Sequence, residues 1–134
     1  MILVDTSVWI DFFSGRDTSH VKMVETLIRD REDICICGVV LTEVLQGIRD
    51  NKEFEKTRAT LSEIIFLPMD QEVFHLAADI YRTCRSHGIT IRKSVDCMIA
   101  ATCMQHSVRL LHNDKDFDLI ASQFDLLIKQ SSLK

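Results

Sequence analysis

The chain has 134 residues, 46% of them apolar and 27% charged, with a formal net charge of −4. That length suits one domain, read as residues 1–134, with a core large enough to fold without disulfides or a partner. The composition is that of a globular chain, and the negative balance excludes a protein that holds nucleic acid by bulk electrostatics alone.

In chain order, MILVDTSVWIDFF opens with Ile2, Leu3 and Val4 running into Asp5, a short buried strand over residues 2–5. Ser7 is expected to cap a short helix carrying Val8, Trp9, Ile10, Phe12 and Phe13, closed by Ser14 and Gly15. So short a helix cannot turn all three aromatic rings to one core, so some are expected at the surface. Ser19 caps a second helix with Val21, Val24, Leu27 and Ile28 at three- and four-residue steps, and residues 34–37 form the next strand before Gly38.

A helix over 39–48 carries Glu43 among apolar neighbours, and a charged helix covers 51–62. Residues 64–67 read as a strand ended by Pro68, and Asp70 caps a long helix that stops at His87 and Gly88. Ser94 is expected to cap a largely apolar helix to about Gln105; a strand over 108–111, the loop HNDKD and a last strand over 124–128 complete the chain. Strands alternating with helices predict an α/β fold, a three-layer arrangement with a central parallel sheet and helices on both faces.

No apolar run approaches the length of a membrane span, and no basic region precedes the first apolar stretch, so a cytoplasmic protein without membrane contact is expected. The cysteines, Cys35, Cys37, Cys84, Cys97 and Cys103, are odd in number and lack a CxxC pair, which points to reduced, buried thiols. His20, His75, His87 and His106 show no ligand spacing.

The acids are more informative. In parallel sheets the functional crevice lies beyond the carboxyl ends of the strands. Asp5 ends the first strand, Asp114 and Asp116 follow the strand over 108–111, Asp96 falls in a helix's first turn, and Glu43 stands about one turn into the helix after residues 34–37. Any one of these is explained as a cap or a turn residue. Glu43 resists that explanation best, because an unpaired charge inside an apolar helical face costs several kcal/mol. Two unit charges about 4 Å apart repel by about 4 kcal/mol at an effective dielectric of 20, so gathered acids call for a cation. Oxygen ligands without a His or Cys cluster favour Mg²⁺ or Mn²⁺ over zinc, and phosphoryl transfer is the chemistry that uses such a site.

The segments ILVDTSVWIDFF, TEVLQGI, SVDCMIAATCMQH and LLHNDKDFD, in this order, resemble the PIN-domain ribonucleases, most closely the VapC-type toxins of bacterial toxin–antitoxin systems. The resemblance spans nearly the whole chain. It implies a Mg²⁺- or Mn²⁺-dependent endoribonuclease that acts on RNA to inhibit translation and growth. It also implies a small, often homodimeric protein, held inactive by a cognate antitoxin through which alone promoter DNA is met.

The family's acidic positions fall on Asp5, Glu43, Asp96 and Asp114 as catalytic residues, with Asp5, Asp96, Asp114 and the accessory Asp116 around the metal. Thr6 matches the supporting hydroxyl. His112 stands where many relatives carry Thr or Ser. In the mechanism expected, Glu43 orients or deprotonates the attacking water, and a 5′-phosphate and a 3′-hydroxyl are released. Arg92 and Lys93, just before Asp96, and Lys115, between Asp114 and Asp116, are candidates to meet the RNA backbone or else solvated surface charges, with Arg49 a further candidate, and in relatives the Trp9, Phe12 and Phe13 neighbourhood helps receive the antitoxin.

Three rivals compete with this reading. A haloacid dehalogenase-like phosphatase needs a second Asp where this chain has Ser7, and a receiver domain needs adjacent acids where Thr6 follows Asp5. A catalytically silent PIN-like module that binds RNA or protein is the alternative, and it would be favoured by loss of an acid; all four are present.

Overall fold

The structure is a computed structural model that describes residues 1–130. Four strands, β1 (Ile2–Val4), β2 (Ile34–Cys37), β3 (Ile65–Leu67) and β4 (Arg109–Leu111), form one parallel sheet in the order β3-β2-β1-β4. Among the described residues seven helices flank it: α1 (Thr6–Phe13), α2 (Ser19–Arg29), α3 (Gly38–Gln46), α4 (Asn51–Leu61), α5 (Gln71–Ser86), α6 (Ser94–His106) and α7 (Lys115–Ala121). This is the three-layer α/β arrangement expected from the alternating pattern.

Strands this short are viable because the central ones are buried on both faces. Ile2, Leu3 and Val4 are buried, as are all four residues of β2, the unbroken apolar reading expected of a covered parallel sheet. The edge strand β3 is different, with Ile65 and Phe66 exposed. Every cysteine is buried and unpaired, as anticipated. Burial pushes the Cys35 and Cys97 thiols up to about 12, so they are inert apolar fillers at neutral pH.

Register brings the functional ends together. Ile2 pairs with Ile34 and Arg109, and Val4 with Leu111. Beyond the last pair, the Asp5 backbone N–H donates to the Leu111 carbonyl at 3.0 Å. The chain leaving β1 is thereby held beside the chain leaving β4. Helix α5 packs along α6, and α6 supplies the buried residues Cys97, Ile99, Ala100, Ala101 and Cys103 to the core.

Several local expectations are corrected. The α1 cap is Asp5, not Ser7: its carboxylate accepts from the Ser7 N–H, while Asp5 itself lies beyond the strand. Thr18, not Ser19, caps α2, accepting from the Val21 N–H at 3.1 Å. Lys93, not Ser94, occupies the α6 cap position, without a side-chain hydrogen bond. Asp70 does cap α5, which ends at His87 with Gly88 at φ +76°, a conformation glycine adopts freely. The segment 124–128 makes a single parallel bridge, Leu110 to Ile128, rather than a strand. The helix α7 was not anticipated.

Candidate metal centre

Three helix N-termini converge at the carboxyl end of the sheet. Asp5 caps α1, Asp96 sits in the first turn of α6, Asp114 caps α7 and Asp116 is in that helix's first turn. Each position places a negative charge against the positive end of a helix dipole, which makes grouping the acids less costly.

Asp96, Asp114 and Asp116 each offer a carboxylate oxygen within 4.8 Å of the others. Two of the three are buried, Asp96 and Asp116, and Asp114 is half-buried. Asp114 Oδ1 accepts from the Asp116 N–H at 2.9 Å, the capping bond of α7. Asp116 Oδ2 accepts from the Arg92 backbone N–H and Nε at 3.4 and 3.3 Å, and Arg92 also reaches Asp114 Oδ1 at 3.4 Å. Asp96 Oδ2 is buried and has no hydrogen-bond partner among the described residues. Burial is the main cause that pushes the Asp96 carboxyl up to about 7; Lys93 opposes the shift, and the charges of Asp5, Asp114 and Asp116 add to it.

Asp5 is not one of that group of three, but its charge is felt at Asp96. Its Oδ2 accepts from the Ser7 hydroxyl at 2.8 Å and the Ser7 N–H at 3.4 Å. Burial raises its pKa, and the Ser7 and Thr6 hydrogen bonds offset part of the rise. Ser7, anticipated as a cap, is thus the side chain that orients the first acid.

Glu43, on α3, is half-buried rather than enclosed. Its Oε1 accepts from the Thr6 hydroxyl at 2.8 Å, a contact across 37 residues that joins α1 to α3. Thr6 therefore touches Glu43 and supports it.

His112 holds the loop that follows β4. It is buried, and its Nδ1 accepts from the Asp114 N–H at 3.0 Å. With Nδ1 accepting, a neutral ring carries its proton on Nε2, which faces Asp118 Oδ1 at 3.2 Å. The ring packs on Phe117 at 5.1 Å between centroids. Lys93 and Lys115 are exposed at the N-termini of α6 and α7, beside the acids, and Arg92 turns onto two of them.

These donors fit a hard divalent cation. The triad consists of carboxylate oxygens alone and two of its acids are buried; Arg92 pairs with Asp114 and Asp116, but the buried Asp96 oxygen is left without a partner among the described residues, which is costly until a cation meets it. Sequence reasoning missed the Arg92 contacts and the pairing of Asp118 with His112, because both depend on the unanticipated α7.

On α1, Trp9 is buried while Phe12 and Phe13 are half-buried, the three rings lying 5.2 to 5.7 Å apart between centroids. Phe13 and the exposed Ile10 border an apolar cleft shared with Val44, Gly47 and Ile48 of the α3 end and Thr57 of α4.

Comparison with known proteins agrees with this architecture. The PIN domain model matches residues 2–123. Ribonuclease VapC11 of Mycobacterium tuberculosis is 36% identical over 125 residues, covering 90% of this chain and 92% of the relative. Among solved structures, VapBC2 from Rickettsia felis, bound to a DNA fragment from their promoter, superposes with a TM-score of 0.77 at 18% identity, over 96% of this chain and 98% of that one. A toxin–antitoxin complex from Klebsiella pneumoniae gives a TM-score of 0.69 at 24% identity, over 87% and 90%. The parallel order β3-β2-β1-β4, the convergent acids and these likenesses together place the chain in the PIN-domain family, in its VapC branch.

Proposed function

We propose that the chain is a metal-dependent endoribonuclease that acts as the toxin of a toxin–antitoxin pair. The observation that carries this reading is Asp96: a buried carboxylate with an orphaned oxygen, beside Asp114 and Asp116, in a chain related to VapC ribonucleases. Asp5, Asp96, Asp114 and Asp116 would hold Mg²⁺ or Mn²⁺. When bound, the ion supplies Lewis-acid polarisation of a phosphodiester and lowers the pKa of water.

The chain's own residues do the rest. Glu43, oriented by Thr6 through one oxygen, uses the other to take the proton of the attacking water. The water oxygen then bonds to phosphorus in line as the bond from phosphorus to the 3′-oxygen breaks, the departing oxygen taking a proton from solvent, which leaves a 5′-phosphate and a 3′-hydroxyl. Lys93 and Lys115, exposed beside the acids, attract the RNA backbone. His112 and Ser7 act through Asp114 and Asp5 by fixing their positions.

The same reading extends to partners. The solved VapBC2 and toxin–antitoxin assemblies support an antitoxin as the partner of this chain, and the apolar cleft beside Ile10, Phe13, Val44 and Ile48 offers it a seat. Promoter DNA is then met through the antitoxin. No described helix is long and apolar enough to cross a membrane. A cytoplasmic homodimer, each chain one domain over residues 1–134, acting on RNA to stop translation and growth completes the proposal.

The test is cleavage of total cellular RNA by the purified protein with Mg²⁺, with Mn²⁺ and with chelator, the new 5′ ends being sequenced. Discrete cuts should need the metal, carry 5′-phosphates and vanish in Asp5→Asn and Asp96→Asn. Cuts that persist in both variants would overturn the site, and binding of RNA without cleavage would favour the silent module.

A further inference from the structure

Arg92 stands just before α6 with its side chain 63% exposed, and its guanidinium turns onto two of the acids. It spans Asp116 Oδ2 at 3.3 Å and Asp114 Oδ1 at 3.4 Å. These two acids and Asp96 make up the cluster. We infer that Arg92 is a built-in counter-ion of the metal-free site, which the divalent cation must displace or outweigh, so that Arg92 sets the metal concentration at which the site fills. The inference rests on the proposed metal site and adds to it a residue that opposes loading.

Two effects of Arg92 compete. By ordering Asp114 and Asp116 it would assist a metal; by its charge it would repel one. Ordering that does not depend on the guanidinium remains: Asp114 is held by its N–H donating to the His112 ring and by its capping bond to the Asp116 N–H, and Asp116 Oδ2 keeps the Arg92 backbone N–H, which a side-chain substitution leaves in place. The Arg92 contacts, at 3.3 to 3.4 Å, are also long for charge-assisted hydrogen bonds, which run about 2.7–2.9 Å. A loosely held guanidinium adds little order, but its full charge remains. The repulsion therefore outweighs the ordering.

Apart from Arg92, no other side-chain cation forms an ion pair with Asp114 or Asp116 among the described residues. Without it, Asp114 and Asp116 face Asp96 with no ion-paired cation among the described residues until a metal arrives, Lys93 acting on Asp96 only through its charge. Removing Arg92 should thus loosen the metal-free protein and tighten metal binding at once. A purely structural arginine would do only the first.

The experiment is calorimetric titration of the RNA-free protein with Mn²⁺ alone, for wild type, Arg92→Ala, Arg92→Gln and Arg92→Lys, with thermal unfolding of each metal-free form. Arg92→Ala and Arg92→Gln should bind Mn²⁺ more tightly, by on the order of three- to tenfold in low-salt buffer, the scale of the repulsion between a unit and a divalent charge in water after salt screening. Both metal-free forms should melt lower, and Arg92→Lys should stay nearer wild type. Equal or weaker Mn²⁺ binding in the folded neutral variants, with wild type binding normally, would overturn the counter-ion role alone. Failure of every form to bind Mn²⁺ would overturn the metal site and this inference together; binding only by the neutral variants would support it. If Arg92→Ala does not fold, Arg92→Gln, which keeps hydrogen-bond donors without the charge, decides.

Discussion

Asp96 is the side chain on which the site's behaviour turns, and its protonation makes a signed prediction. Its folded-state pKa of about 7 lies above the ordinary value of 3.8. Between these values the folded chain binds a proton that the unfolded chain does not, so stability falls as pH rises. The contribution is fully present below about pH 4 and lost as pH rises through about 7. Asp5, also raised by burial, acts in the same sense. Thermal or urea unfolding of the chelated protein across pH 4 to 8 should show this decline, and Asp96→Asn should flatten it to the Asp5 share; an unchanged slope in that variant would place the proton elsewhere. A cation must displace the same proton, so Mn²⁺ affinity should climb by up to about tenfold per pH unit below pH 7 and level off above it. At Glu43 the relevant contact is the Thr6 hydroxyl. Thr6→Val should keep the fold, cost about 1 kcal/mol of stability and lower cleavage on the order of 10- to 100-fold. A variant with full cleavage would remove Glu43 orientation from the mechanism.

Elements differ in how directly they bear on the site. Thr18 caps α2 by accepting from Val21; Thr18→Ala should cost about 1 kcal/mol in urea unfolding and leave cleavage per folded molecule unchanged. Ile99, fully buried on α6, should cost about 2–5 kcal/mol when cut to alanine. The strand–helix alternation was legible because β1 and β2 are unbroken apolar runs and α2 and α5 repeat at helical spacing. The caps were less legible. At Asp5-Thr6-Ser7 three adjacent residues can all accept from a helix N-terminus, and spacing alone does not choose among them. The helix α7 hid behind the polar HNDKD segment, although Phe117 and Ile120, three apart and both buried, carry its pattern after the Asp114 cap. The acids themselves were legible by their places after strands and in first turns. Their partners were not: Arg92 meets Asp116 across 24 residues that only the folded chain brings together, and the His112 ring accepting the Asp114 N–H is a local turn whose side-chain direction spacing does not give.

For the whole molecule, one sheet end gathers the chemistry and the core supports it. The β1–β4 pairing, extended by the Asp5 to Leu111 backbone bond, sets Asp5 beside the segment that carries Asp114 and Asp116, and the packed α6 delivers Asp96. A ligand that binds only this assembled state must stabilise the entire fold. Mn²⁺ at about a hundred times its dissociation constant should add roughly 2.7 kcal/mol, and Asp96→Asn should lose most of that gain. The most direct measurement is anomalous diffraction from crystals grown with Mn²⁺. The account predicts a peak bounded by carboxylate oxygens of Asp96, Asp114 and Asp116, with Asp5 at its side directly or through water; a fully ordered site without a peak at saturating Mn²⁺, or a peak bound only elsewhere, would contradict it.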